Sequence, residues 1–530
     1  MVAEAFSEDE RRLLAPYFTN IDGPVFVLRN LPEVVKGALF ARYSRSAKSL
    51  RRLFLDEFLD QVGGTHPANH DVGVGRADKL YERVFDEYGD DSVAQLGGAH
   101  LACEGASNLL TKVLEWGRLM AYLEQSTRYI AYNDRRGGRW KYLVPAEITD
   151  RDLRQRYTAC LDRAFETYAR WLEPIEDHYR TKYPRDPGDP EGVYKRTIRA
   201  KALDTLRGLL PAATQSNVGL FGTGQAYEAL LLRMRVHPLQ EVRTYADLML
   251  DELRQVIPSF LKRVDRADRG VRWSEYLQAT QQATATVAQR LLASTTAEPR
   301  SEVMLTDFDP DGEAKVVAAA LYAVSALPDD QLLRVARTLS ADQRGAVLRA
   351  YVGQRDNRRH KPGRAFERTT YRFDVLTDYG AFRDLQRHRL LTLEWQPLSP
   401  RHGYSVADAI EEAGALPDWQ RVMEESAALY DALLAAGLPA VAPYAVSMAY
   451  RVRFYMEMNA REAMHMIELR TAPQGHPSYR RVCQAMHRLI AEQAGHRAIA
   501  AAMVFADHSA VELERLGAER ASEQRRHGRR

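Results

Sequence analysis

Arg387-His388-Arg389 puts two guanidiniums and an imidazole side by side in the chain. Guanidinium presents paired N–H donors and imidazole titrates near neutrality, so the trio forms a fork for phosphate oxygens or a ring carbonyl. Thr392, Gln396, Ser399 and Arg401 follow across a Pro-bearing turn and extend an anion cradle with hydroxyl, amide and cation. A second stretch, Asn459-Ala460-Arg461-Glu462-Ala463-Met464-His465-Met466-Ile467-Glu468-Leu469-Arg470, reads as a helix. Close to three helical turns separate Asn459 from Arg470, which places them on one face about 16 Å apart, within reach of both ends of a long composite ligand. Cys103, Cys160 and Cys483 are the chain's 3 cysteines and form no CxxC pair, so they read as small buried residues, not a disulfide frame, a zinc site or a catalytic thiol. No metal site is expected, since His465 and His476, like His100 and His237, lack partners at ligand spacing.

The motif Arg-His-Arg-Leu-Leu-Thr followed by Gln396-Pro-Leu-Ser399-Pro-Arg401-x-x-Tyr404 resembles the signature of the flavin-dependent thymidylate synthases, or thymidylate synthase complementing proteins. That signature is Arg-His-Arg, two residues, Ser, then Glu-x-Ser-x-Arg-Tyr. Thr392 stands for the first Ser, and the later turn is stretched by about two residues. Earlier in the chain, Glu124-Gln125-Ser126-Thr127-Arg128-Tyr129 fits the end of the signature without a gap, while Trp116-Gly117-Arg118 stands where Arg-His-Arg belongs. The Asn459-to-Arg470 stretch matches the family's Asn-x-Arg helix in register. Its earlier counterpart, Gly222 to Arg233, has lost the Asn and the first Arg but keeps Arg233, with His237, Glu241 and Arg243 beyond it. Arg207 with Leu210-Pro211 resembles the family's Arg-x-x-Leu-Pro segment, and Glu367 sits where the family has a Glu before a strand.

The resemblance implies reductive methylation at C5 of dUMP or a related pyrimidine nucleotide, with FAD as cofactor and NADPH and methylenetetrahydrofolate as co-substrates. It implies that Arg387, His388, Arg389, Asn459, Arg461, His465 and Glu367 hold the cofactor. Glu124, Gln125, Ser126, Thr127, Arg128, Arg207, Asp384, Arg387 and Arg470 would hold the nucleotide, Arg470 being the catalytic residue that stabilises charge on the pyrimidine. The family is a homotetramer with active sites between subunits, so a tandem copy implies a homodimer equivalent to a pseudo-tetramer. Each half keeps what the other has lost, which implies one working composite site. Asp384 stands where the family carries Gln. An ionised carboxylate accepts but cannot donate, so it favours a base edge that offers donors, and it could equally pair with Arg387. The eroded motifs also admit a non-catalytic FAD- or nucleotide-binding member of the same superfamily.

These residues need scaffolding, and the chain supplies it twice. Residues 25–44 and 303–325 each read as a short strand, a Pro-marked turn and an apolar helix, and the arginine-bearing landmarks recur after each in the same order. A tandem duplication follows, with repeats at 1–290 and 291–530 and loop-like joins at 265–270 and 293–302. Strands are expected at 24–29, 303–307 and 369–376. Helices are expected over 30–60, 79–125, 150–180, 225–263, 312–352, 405–436 and 445–506. This makes an α+β fold of two copies, each a small antiparallel sheet with long helices. The basic tail from Arg515 reads as a frayed end.

With 74 Lys+Arg against 71 Asp+Glu, the chain has no general nucleic-acid coat, so small nucleotides and folates are the expected partners. An RNA-binding scaffold is disfavoured further by the lack of an aromatic-studded basic motif. The polar, acidic start and the absence of an apolar span point to a cytoplasmic protein with no membrane attachment.

Overall fold

The computed structural model describes residues 4–31, 33–43, 46–59 and 97–527. It divides into two compact units: Met1–Ala169, Leu210–Ala297 and Glu424–Val446 form one, and Arg170–Leu209, Glu298–Met423 and Ser447–Arg530 the other. The packing units and the sequence repeats are therefore different divisions of the chain, because residues 170–209 pack with residues of the later half.

The first unit is built on a four-stranded antiparallel sheet of order β1-β2-β4-β3. Its strands are β1 (Val25–Leu28), β2 (Gly98–Ser107), β3 (Met120–Glu124) and β4 (Gln215–Thr223). Phe18, Phe26, Leu28, Leu39, Tyr43 and Phe54 pack as the apolar core against β1. β2 breaks its register with β4 between Cys103 and Ala106. Gly105 takes the positive φ of 70° that this bulge requires, and its N–H donates to Asn217.

The second unit repeats the topology as β5-β6-β8-β7, with β5 (Val303–Phe308), β6 (Thr370–Asp378), β7 (Thr392–Trp395) and β8 (Arg451–Asn459). Along β8, Val452, Phe454, Met456 and Met458 point inward and alternate with Arg451, Arg453, Tyr455 and Glu457. On the polar face Arg372 pairs with the directly opposed Glu457 at 2.9 Å, and Arg453 reaches Asp374 at 2.6 Å. The shared strand order of the two antiparallel sheets makes the chain an α+β tandem duplication.

Several expected elements change type. Within the helix expected over 79–125, residues 79–96 lie outside the described residues, while 98–107 and 120–124 are strands. The helix expected over 445–506 begins as strand β8 and continues as Ala460–Arg470, Pro477–Glu492 and Arg497–Ala501. Of residues 265–270, expected as loop, 267–270 belong to the helical segment Ala267–Val271, which leads into a helix at Arg272–Leu292. The tail is not frayed: Leu516–His527 is a helix, held within its unit because Arg520 pairs with Asp189, and Glu519 and Glu523 pair with Arg196. No described helix is long and apolar enough to cross a membrane.

Candidate functional site

In the second unit, two strand ends launch the two helices that carry the candidate residues. β6 ends at Asp378, whose carboxylate accepts the Ala381 N–H at 2.8 Å and starts the helix Tyr379–Leu385. β8 ends at Asn459, whose side-chain oxygen accepts the Glu462 N–H at 2.9 Å and starts the helix Ala460–Arg470. The strands are antiparallel neighbours, so the helices leave opposite ends of the sheet. Their last turns meet where Arg470 donates to the Asp384 carbonyl. A cation beside the C-terminal end of the Tyr379–Leu385 helix is electrostatically favoured. The Ala460–Arg470 helix is further pinned by Glu468, which makes a two-pronged pair with Arg355 at 2.6 Å, both side chains being buried.

Arg387-His388-Arg389 follows the first of these helices. His388 is buried; its Nδ1 lies 3.0 Å from the Glu462 carboxylate, and its Nε2 lies 3.0 Å from Nε of Arg470. A guanidinium can only donate, so His388 accepts at Nε2 and is the neutral Nδ1–H tautomer. Burial, reinforced by the positive charges of Arg470 and Lys361, holds its pKa well below the ordinary imidazole value. The His465 ring stands edge-on to His388 at 5.4 Å, and burial pulls its pKa down to about 4. Burial also raises the Glu462 carboxyl.

His388, Glu462 and His465 thus bring three possible ligand atoms within 4.8 Å of one another. The sequence reading found no such partners for His465 because His388 comes from another element. The surroundings disfavour a metal cation, since Arg470, Lys361, Arg358, Arg389 and Arg461 all act on this group with positive charge. The same surroundings fit an anionic group such as a dinucleotide pyrophosphate. Arg461 is oriented by the Pro362 carbonyl at 3.0 Å and by Glu367 at 3.4 Å, and Glu367 is kept below the usual carboxylate range mainly by Arg364.

Asp384 lies within reach of three guanidiniums: Arg207 at 3.5 Å, Arg470 at 3.9 Å and Arg387 at 4.0 Å. Arg207 belongs to the first sequence repeat but to this packing unit. It follows the helix Glu191–Leu206, is 4% exposed, and its Nη2 is buried without a hydrogen-bond partner. Gly380 makes room for it, since a Cβ there would lie 3.0 Å from Arg207 Nε. Arg207 lines a cavity of about 260 Å³ together with Lys201, Asp378, Trp419 and His476. Asp378 Oδ2 and Trp419 Nε1 are also buried and unpartnered, so three of the residues that line this cavity each carry a buried polar atom without a partner. Sequence reasoning singled out Arg207 but missed Asp378 and Trp419, which carry no motif.

The turn after β3 lies in the first unit. Glu124 is buried 3.5 Å from Lys112, which also bonds Glu115 at 2.6 Å. Gln125 donates to the Ser46 carbonyl at 2.6 Å. Ser126 accepts from the Arg128 N–H at 3.3 Å, and Thr127 and Arg128 are buried. In this unit the counterpart of Arg470 is Arg233, which lies over the Trp116 ring at 5.0 Å. Gly117 stands where the other repeat has His388, so the carboxylate–imidazole–guanidinium chain has no equivalent here.

The family described as thymidylate synthase complementing protein matches residues 38–259 and again 304–494. The chain is 37% identical over 517 residues to a UPF0159 protein of Chlamydia muridarum, covering 96% of this chain and 97% of that protein. It is 30% identical to the UPF0159 protein Ta1429 of Thermoplasma acidophilum, over 91% of this chain and 97% of that protein. A flavin-dependent thymidylate synthase of Clostridium tetani is 25% identical over 202 residues, 38% of this chain and 75% of that protein.

Proposed function

Since the chain belongs to the thymidylate synthase complementing protein family, we propose that it is a flavin-dependent methyltransferase acting at C5 of dUMP or a related pyrimidine nucleotide. The observation that supports this reading is the meeting of Arg207 from one repeat with Asp384, Arg387 and Arg470 from the other, beside a cavity with orphaned polar atoms. When bound, FAD reduced by NADPH supplies the hydride and methylenetetrahydrofolate the one-carbon unit.

The chain's own residues bind, orient and balance charge. Arg207 offers the unpartnered Nη2 to the nucleotide phosphate, a charge-assisted bond that the buried site leaves unsatisfied otherwise. Arg470 donates to the pyrimidine and stabilises negative charge that grows on its carbonyl side. His388 accepts the Arg470 Nε–H and is itself tied to Glu462, so it fixes the plane of the guanidinium. Arg387, Arg389, Arg461 and His465 face the cofactor, while Asn459 and Glu367 hold the backbone and side chains that present them. Ser126, Thr127 and Arg128 keep their proposed nucleotide role in the first unit, with Glu124 and Gln125 bracing that turn.

Protein purified without added ligand tests the reading. It should carry a flavin absorption spectrum that bleaches with NADPH, and it should release the C5 proton of dUMP only when methylenetetrahydrofolate is present. Bound flavin with no turnover on any pyrimidine nucleotide would instead favour the non-catalytic member of the superfamily. Protein that takes up no flavin on reconstitution would refute both.

A further inference from the structure

The helix Arg272–Leu292 lies between the two stretches that match the family, and none of its residues is buried. Most helical stability in proteins comes from packing an apolar face rather than from intrinsic propensity. Among the described residues that face is present and exposed. Trp273, Tyr276, Thr280, Thr284, Val287 and Leu291 recur at three- and four-residue spacing, with Trp273 56% and Leu291 66% exposed. The Thr280 and Thr284 hydroxyls donate back to the Leu277 and Thr280 carbonyls, so their methyl groups complete the stripe. Exposed aromatic and aliphatic side chains in an unbroken stripe mark an interaction surface.

The pattern selects its partner. Turned end for end about residue 282, the stripe lies on itself: Trp273 meets Leu291, Thr280 meets Thr284, and Tyr276 falls beside Val287. A two-fold interface requires this self-complementarity. Charge gives the same direction, since Glu275 lies near one end and Arg290 near the other. Antiparallel pairing sets each Glu275 beside the other copy's Arg290, whereas parallel pairing sets like beside like. We propose that this helix docks on the same helix of a second copy of the chain, as an antiparallel pair about 27 Å long.

Crosslinking with co-expressed, differently tagged full-length chains tests the direction as well as the contact. The native cysteines Cys103, Cys160 and Cys483 are buried and do not compete. A Trp273→Cys chain and a Leu291→Cys chain should crosslink to each other with a short thiol–thiol reagent, while neither crosslinks to itself. Adding Val287→Glu to both should abolish the product, and wild-type protein should scatter light as two chains of 60.2 kDa. Self-crosslinking of either single variant would mean parallel pairing and overturn the proposal. So would a monomeric wild type, or a dimer without the mixed crosslink, which would mean that another face joins the copies or that the chain covers its own helix.

Discussion

Arg207 and Asp384, from different repeats, face each other at 3.5 Å in the same packing unit. Asp384 acts there as a resident counter-ion for Arg207, Arg387 and Arg470. Replacing it with the neutral, one-methylene-longer amide Gln, Asp384→Gln, removes that competition and supplies a side chain able to donate and accept. Affinity for dUMP should rise on the order of tenfold, the equivalent of one weak charge pair, and unfolding should become easier in the absence of nucleotide. Isothermal titration and urea melts read both, and unchanged or weaker dUMP binding would count against a role for Asp384 in choosing the nucleotide.

Arg470→Lys keeps the charge but cannot serve the His388 nitrogen, the Asp384 carbonyl and a ligand together. Turnover should fall at least a hundredfold with a much smaller change in flavin content. Arg207→Ala should instead weaken nucleotide binding, measured by titration, with flavin content unaltered. Flavin loss in both variants would place them in the cofactor's support, not the nucleotide's.

Glu468→Gln leaves the Arg355 guanidinium buried with a neutral partner. Breaking one side of a buried ion pair costs about 3–5 kcal/mol, so the urea midpoint should drop sharply. Because Glu468 shares a helix with His465 and Arg470, flavin binding should weaken before the fold is lost. A shift of under 1 kcal/mol would show that the pair is not needed.

Native protein should react slowly with aromatic disulfide reagents. Burial drives the Cys160 and Cys483 thiols up to about 12 and Cys103 higher still, so little thiolate exists at neutral pH. All three should react at once in denaturant. Stoichiometric fast labelling of folded protein, or loss of turnover in a Cys483→Ser variant, would restore a thiol to the mechanism.

Acid should weaken the fold through its buried imidazoles. Burial lowers His237 to about 4, whereas the unfolded side chain protonates near 6.5. The unfolded state therefore binds the proton first as pH falls, and stability is fully present above 6.5 and declines toward 4. The ceiling for this residue is roughly 3 kcal/mol. The upward-shifted carboxyls of Glu241 and Glu462 act in the opposite sense, so the clean readout is the difference between wild type and His237→Asn. That variant should show a flatter decline in urea midpoint between pH 7 and pH 5; an identical slope would exclude His237.

The sequence reading was sharpest where a residue's role is local. Strands β5 and β6 and the helices at 151–182 and 312–322 show their period in the residues themselves. β8 alternates as cleanly, yet no Gly or Pro separates it from the helix that Asn459 caps, so in the sequence the two run together. β2 carries no local strand signal: most of GAHLACEGAS is buried on both faces, its alanines and Leu favour helix, and pairing with β1 and the distant β4 makes it extended. At the site, the arginines and His388 were legible as motif residues. The His388–Glu462–Arg470 chain, Asp384 amid three arginines, and the orphaned atoms of Asp378 and Trp419 were not, since each depends on which elements the fold brings side by side.

Residues 170–209 belong to the earlier repeat by order and to the later unit by packing. On the ribosome this stretch emerges long before residues 298–423 and 447–530, with which it shares a core, so that unit stays unfinished until synthesis is nearly over. Cutting the gene between its two copies would leave each product with one strip too many or too few. The duplication has in this sense become a one-way step, because neither copy can now be dropped without taking part of the other with it.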